Sequence, residues 1–176
     1  GMAEVIKHAA LFDQKLWRFL LNESPSILGQ DPQTLIAMIK RNIELKNEIV
    51  ERDPFEKKER ALLNFGHTIG HGIEVASNYR IPHGQAVAYG MVLEAYLLNS
   101  PIDGLIQCLQ TFGLLTCGYL DDLDHDVCLQ AMTRDKKNRA NDIYMVKWQG
   151  VADVDLPIPI SAKEIKRVLQ KLQELF

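Results

Sequence analysis

The chain has 176 residues, of which 47 % are hydrophobic and 24 % charged, with a formal net charge of −3, a balance that suits one soluble globular domain with its own core. It carries no basic run that would mark nucleic acid or a membrane surface as partner, no apolar run of the ~18 residues a membrane span needs, and no visible signal peptide, since Glu4 and Lys7 fall among the first residues. Cys108, Cys117 and Cys128 lack metal-site spacing and read as reduced thiols, which places the expected protein in the cytoplasm.

Val5, Ile6, Ala9, Phe12, Leu16, Phe19 and Leu20 recur at helical spacing and predict a first helix from Met2 to about Leu21. Asn22 to Gly29 reads as a loop. Asp31-Pro32 supplies an N-cap and a proline at the first helical position, opening a second helix that runs to about Arg52. A charged turn containing Pro54 precedes a third helix over 60–77. After the loop 78–82, a fourth helix runs from His83 to Leu98. Shorter helices are expected over 102–112 and 125–135. Two short strands follow over 144–148 and 151–156, with Gln149-Gly150 between them. The last helix opens with Ser161 and Glu164 at capping-box spacing and ends at Phe176. The fold class is therefore all-α: one multi-helical domain over 1–176, without internal repeats, carrying a short β-hairpin near 144–156.

Two helices place polar residues oddly. On the second, Leu35, Ile39, Ile43, Ile49 and Val50 form an apolar stripe, and Lys46 falls in its middle. The expectation is a lysine shielded from water and turned into a cleft, where an anionic partner offsets its burial; otherwise its stem lies on the apolar surface and its head reaches out to water. On the third, Arg60, Asn64, His67, His71, Glu74 and Asn78 share one narrow stripe, opposite Leu62, Phe65, Ile69, Ile73 and Ala76. A solvated face is usually Lys and Glu, not Arg, Asn and His. The helix also contains Gly66, Gly70 and Gly72, each costing about 1 kcal/mol relative to alanine. Such a helix needs packed neighbours, which the glycines allow to approach closely, and its polar stripe is read as facing a cleft.

His67 and His71 at i, i+4 suggest a metal site, although no glutamate follows the first histidine as in the metalloprotease pattern. His83 starts the next helix, where the helix N-terminus disfavours imidazolium and keeps a histidine neutral. Two histidines and a carboxylate make a catalytic zinc set with one open position. Composition leaves the carboxylate open among Glu74, Glu94, Glu4 and Asp53.

Four blocks then resemble signatures of the 3-dehydroquinate synthases, in the family's order: Gly1 to Lys7; Arg60 to His71; His83-Gly84-Gln85-Ala86-Val87 followed by Gly90-Met91-Val92; and Met132 to Lys137, ending Asp135-Lys136-Lys137. The resemblance implies a phosphorus-oxygen lyase of the shikimate pathway that closes the sugar phosphate DAHP into 3-dehydroquinate. It implies Glu4, His67 and His83 as ligands of Zn2+ (or Co2+), and NAD+ as hydride carrier. It implies Lys7, Arg60, Asn64 and His71 as catalytic residues, with Lys46, Leu63 and one of Lys136 and Lys137 at the substrate. In these roles Arg60 and the lysines bind phosphate and carboxylate, Asn64 donates to the leaving phosphate, and His71 relays a proton.

Gln85 departs from the family's usual glutamate, and Gly72 from its usual alanine. No G-x-G-x-x-G strand-turn-helix occurs, so the family's N-terminal Rossmann-like NAD domain is expected to be absent from this chain and the isolated chain inactive. The implied full-length enzyme is a homodimer acting on a small molecule. Two competing readings are a sister sugar-phosphate cyclase, such as 2-deoxy-scyllo-inosose synthase, and a non-catalytic free-standing domain.

Overall fold

Asp13 decides how the chain begins. Its carboxylate accepts from the backbone N–H groups of Lys15 and Leu16, so the expected single first helix is two, α1 (Met2–Phe12) and α2 (Gln14–Asn22). The computed structural model describes residues 1–56, 58–116, 120, 122–133, 143–171 and 175. A short α3 (Ser24–Leu28), with Pro25 in its first turn, occupies the stretch expected to be loop. α4 (Pro32–Arg52) starts as expected, Asp31 accepting from the Thr34 N–H.

The expected third helix is also two elements. A 3-10 segment covers Glu59–Asn64; Gly66 then takes a left-handed φ of 75°, and α5 covers His67–Ala76. Glycine is required there twice over, because a Cβ on Gly66 would also lie 2.5 Å from the Met91 side chain. Arg60 and Asn64 are therefore not on one helical face with His67 and His71.

α6 (His83–Leu97), α7 (Asp103–Thr111) and α8 (His125–Thr133) agree with expectation in type and place. Strands β1 (Ile143–Gly150) and β2 (Asp153–Ile160) pair antiparallel. They are longer than expected, and the turn lies at Val151-Ala152 instead of Gln149-Gly150. α9 (Ala162–Leu169) carries the expected capping box of Ser161 and Glu164. Among the described residues no helix is long and apolar enough to cross a membrane.

α6 is the centre of the fold. It is buried from Ala86 through Ala95, as a helix apolar on every side must be. One core cluster joins it to α1, α2, α4, α7 and Trp148; the other joins it to α5, α8, α9, Ile143 and Met145. Gly90 lets the backbone of α6 press against the chain entering α5: a Cβ there would lie 2.0 Å from the Gly66 carbonyl oxygen. That close approach packs the start of α5 against the middle of α6, and Gly70 against Ala86 and Val87 continues the contact toward His83.

On α4 the buried residues are Met38, Leu45 and Ile49. Asn42 and Arg41 border this face because each has a tertiary partner, His8 and Asp13 respectively. Ile36, Ile39 and Ile43 stay 60 %, 49 % and 52 % exposed.

Candidate metal and substrate site

Glu4 and Lys7 stand one turn apart on α1, and Lys7 is only 2 % exposed. Its ammonium donates to Oε2 of Glu4 at 2.8 Å and to the Leu63 carbonyl at 2.6 Å. Burial pulls the ammonium below the usual lysine range against the pull of Glu4. Burial alone would raise the Glu4 carboxyl, but Lys7, helped by His67 and His8, carries it below the usual carboxylate range.

His67 opens α5. Its Nδ1 is 3.3 Å from the Phe65 carbonyl oxygen, and its Nε2 is 3.3 Å from Oε1 of Glu4. Burial, then the charge of Lys7, push its pKa down to about 4, so the ring is neutral at pH 7. With the proton on Nδ1 for the Phe65 carbonyl, Nε2 presents a lone pair to Glu4. Oε1 of Glu4 is itself buried and has no hydrogen-bond partner among the described residues. In that tautomer Nε2 and Oε1 are facing acceptors, an arrangement that a shared cation satisfies.

His83, the first residue of α6, completes the group: one donor atom from each of Glu4, His67 and His83 lies within 4.8 Å of the others. A carboxylate and two imidazoles are a zinc-type donor set that leaves a coordination position open. A second set of the same spacing, His71, Glu74 and His83, shares His83 and is more exposed.

Of the four carboxylates that composition left open, Glu94 and Asp53 are committed elsewhere. Glu94 is buried in the core, accepting from the Gly66 N–H at 2.8 Å and the Val146 N–H at 2.5 Å, and burial raises its pKa to about 8. Asp53 accepts from the backbone of Lys58 and Arg60 and so shapes the turn into the 3-10 segment. Glu74 binds His83, its Oε1 lying 3.1 Å from Nδ1.

The other expected residues fall into place less uniformly. The ring of His71 lies 5.7 Å from that of His67 and 6.2 Å from that of His83, exposed beside this donor group. Lys46 is exposed, contrary to the shielded position expected; the buried face of α4 lies further round the helix, because Asn42 and not an apolar residue pairs inward. Lys46 still acts electrostatically on both Lys7 and His8, which puts it on the site's side of α4. The Arg60 guanidinium donates to the Pro54 carbonyl, and the Asn64 amide to Glu56 and to the Ala61 carbonyl. Leu63 contributes its carbonyl oxygen, as the anchor of Lys7. Lys136 and Lys137 lie outside the described residues.

His8 is a site neighbour that sequence reasoning missed. It is 2 % exposed, with Nδ1 2.8 Å from Oδ1 of Asn42 and Nε2 3.8 Å from Oε2 of Glu4. Its i+4 spacing from Glu4 was the available signal. A separate groove of about 540 Å³ between α1, α4 and the hairpin is lined by Arg41, Glu48, Arg52 and Glu59. Its arginines are ion-paired with Asp13, Glu48 and Glu59, and no expected site residue lines it.

The family described as 3-dehydroquinate synthase C-terminal matches residues 1–138. The 3-dehydroquinate synthase of Xylella fastidiosa (strain 9a5c) is 37 % identical over 182 aligned residues, covering 96 % of this chain and 46 % of the relative. That of Xanthomonas oryzae pv. oryzae (strain PXO99A) is 38 % identical over 183, covering 96 % and 49 %. The chain thus spans about half the length of the curated relatives it matches. A 2-deoxy-scyllo-inosose synthase solved with carbaglucose-6-phosphate, NAD+ and Co2+ superposes with a TM-score of 0.84 at 26 % identity, over 97 % of this chain and 51 % of that one. The 2-epi-5-epi-valiolone synthase of Streptomyces hygroscopicus subsp. jinggangensis 5008, solved with NAD+ and Zn2+, shares the fold with a TM-score of 0.83 at 22 % identity, over 99 % of this chain and 51 % of that one.

Proposed function

Because the chain belongs to the 3-dehydroquinate synthase C-terminal family, we propose that it is the metal- and substrate-binding part of a 3-dehydroquinate synthase, which converts DAHP to 3-dehydroquinate and phosphate. The observation that carries this reading is the meeting of Glu4, His67 and His83 around a buried, unpartnered carboxylate oxygen. The nucleotide-binding part belongs, on this reading, to the further length that the relatives have.

Glu4, His67 and His83 would hold a divalent ion, zinc by donor type. When bound, the ion supplies Lewis acidity toward substrate oxygens, and NAD+ supplies a hydride acceptor that returns the hydride later. Lys7 fixes the carboxylate of Glu4 and has one ammonium proton beyond its two bonds, suited to a substrate oxygen. His71 is the accessible imidazole beside the ligand group, placed to take and return a proton at the substrate. Lys46 and Arg60 are the cations suited to the substrate's phosphate and carboxylate, and the Asn64 amide is a donor to the same groups once it leaves Glu56. Lys136 or Lys137 adds a further cation to this reading.

The test is phosphate release from DAHP, with NAD+ and Zn2+, by the longest natural protein that contains these residues. Turnover supports the reading. Turnover of glucose 6-phosphate in place of DAHP would move the chain to a sister cyclase, and no turnover of either would favour a binding role.

A further inference from the structure

Both histidines of the proposed metal group have their Nδ1 occupied by an oxygen acceptor of this chain. For His67 it is the Phe65 carbonyl at 3.3 Å. For His83 it is the carboxylate of Glu74 at 3.1 Å. Glu74 is 14 % exposed while His83 is 52 % exposed, so the carboxylate is held by its helix and the imidazole is the freer partner. His83 stands at the first position of α6, where no preceding helical turn packs against its ring. Without a second contact that ring has several rotamers and two tautomers open to it.

We infer that Glu74 is a positioning residue for the metal site: by accepting from Nδ1–H of His83 it fixes the tautomer and the ring plane, leaving Nε2 to face Glu4 and His67. The inference rests on the reading of Glu4, His67 and His83 as the ligand group. A carboxylate behind a ligating imidazole also makes the nitrogen a better donor. The α5 helix then serves the site at both ends, contributing His67 as a ligand in its first turn and Glu74 two turns later, on the same face, as the support of the third ligand.

The rival assignment makes Glu74 itself a ligand, in the set His71, Glu74 and His83 that has equivalent spacing. Two observations favour the Glu4 set. Its carboxylate oxygen is the buried one with no partner, whereas the Glu74 oxygen already accepts a hydrogen bond. Its His67 is partly buried, with Nδ1 beside the Phe65 carbonyl oxygen, whereas His71 is exposed.

The test is Zn2+ affinity of the purified chain, measured by competition with a chromophoric chelator, alongside the thermal midpoint of the metal-free protein. Glu74→Ala is expected to weaken Zn2+ about 10–100-fold with the metal-free midpoint little changed. Glu74→Gln, whose amide oxygen still accepts from Nδ1–H, is expected to lose distinctly less. His71→Ala is expected to bind Zn2+ like the parent. Parental affinity in Glu74→Ala overturns the inference; so does a loss in His71→Ala as large as that in Glu74→Ala, which would put the ion in the other set. His67→Ala separates the two levels, because parental affinity in that variant would remove the ligand group itself and not only its support.

Discussion

Nε2 of His67 and Oε1 of Glu4 face each other at 3.3 Å with no hydrogen-bond donor from the described residues between them. In the tautomer that donates from Nδ1 to the Phe65 carbonyl, Nε2 and Oε1 are both acceptors, and a cation between them satisfies both. Zn2+ held there would satisfy both groups and stabilise the fold by mass action. The expected outcome is a rise in stability on adding Zn2+, about 2.7 kcal/mol when free Zn2+ is ~100 times its Kd. Calorimetry with and without a chelator checks it. The double variant His67→Ala/His83→Ala should show no such rise, and undiminished zinc content in it would contradict the ligand assignment.

Lys7 is the buried cation on which this arrangement rests. Lys7→Met keeps the stem's volume but leaves Oε2 of Glu4 and the Leu63 carbonyl without their donor. Such orphaned acceptors cost about 1–3 kcal/mol, so chemical denaturation should show a loss in that range. The Glu4 carboxyl should also titrate higher without the charge that lowers it, which NMR of the side-chain carbon can follow. An unchanged Glu4 titration in Lys7→Met would show that the pair is not formed in solution.

The parts of this site that were legible in the sequence are those fixed by local chemistry. His83 after Pro82 marks a helix start, and the glycines of 66–72 signal close packing, which Gly66 against Met91 fulfils. A helical wheel does not register a break in the helix axis. Asp13 and Gly66 each end one axis and begin another, so Arg60 and Asn64 do not share a face with His67. Lys46 lies on the richest apolar stripe of α4, but burial there follows two polar pairs, Asn42 with His8 and Arg41 with Asp13. Partners some thirty residues away leave no periodic trace. Glu74 was visible on the stripe, yet nothing local distinguishes a ligand from the residue behind one.

Glu94 makes stability pH-dependent. Its carboxyl titrates at about 8 in the fold against 4.5 for an ordinary glutamate, because burial outweighs the help of the Gly66 and Val146 N–H groups. Between those pH values the folded protein keeps a proton that the unfolded chain has released, so stability falls as pH rises. Each pH step between the two values changes stability by about 1.4 kcal/mol, so the whole effect reaches several kcal/mol. Urea unfolding in the presence of a chelator, at pH 5, 6.5 and 8, should show the parent declining more steeply than Glu94→Gln. Parallel pH profiles would mean that the carboxylate is ionised in the fold throughout.

Gly90 is predicted to tolerate no side chain. A methyl group there meets the Gly66 carbonyl oxygen at 2.0 Å, and that oxygen belongs to a backbone that cannot step aside without moving His67. Gly90→Ala should destabilise by about 3 kcal/mol or more, the upper end of overpacking, at ~2–4 °C of thermal midpoint per kcal/mol. Gly104→Ala, where nothing lies within 4 Å of the added methyl, is the control and should be near neutral. Equal midpoints for the two variants would refute the close approach of α5 and α6.

The 176 residues alone are predicted to give no turnover of DAHP, and the longer protein of the relatives' plan to give it. The reaction requires a hydride acceptor fixed against one substrate carbon. Among the described residues the only sheet is a two-stranded antiparallel hairpin, which offers no glycine-rich strand-turn-helix for a dinucleotide. NAD+ free in solution cannot be held in position, and positioning contributes roughly 7–11 kcal/mol to such a step. Losing half of that slows turnover about a thousandfold or more, at about 1.4 kcal/mol per factor of ten. Water entering the open cleft would further weaken the contacts of Lys46 and Arg60 with the substrate's anionic groups. The measurement is phosphate release with NAD+ and Zn2+, on these 176 residues alone and on the chain joined to, or mixed with, a dinucleotide-binding domain from a relative. Ordinary turnover by the 176 residues alone would show that the hydride acceptor has a binding place within them, and the division of labour proposed for the two parts would be wrong.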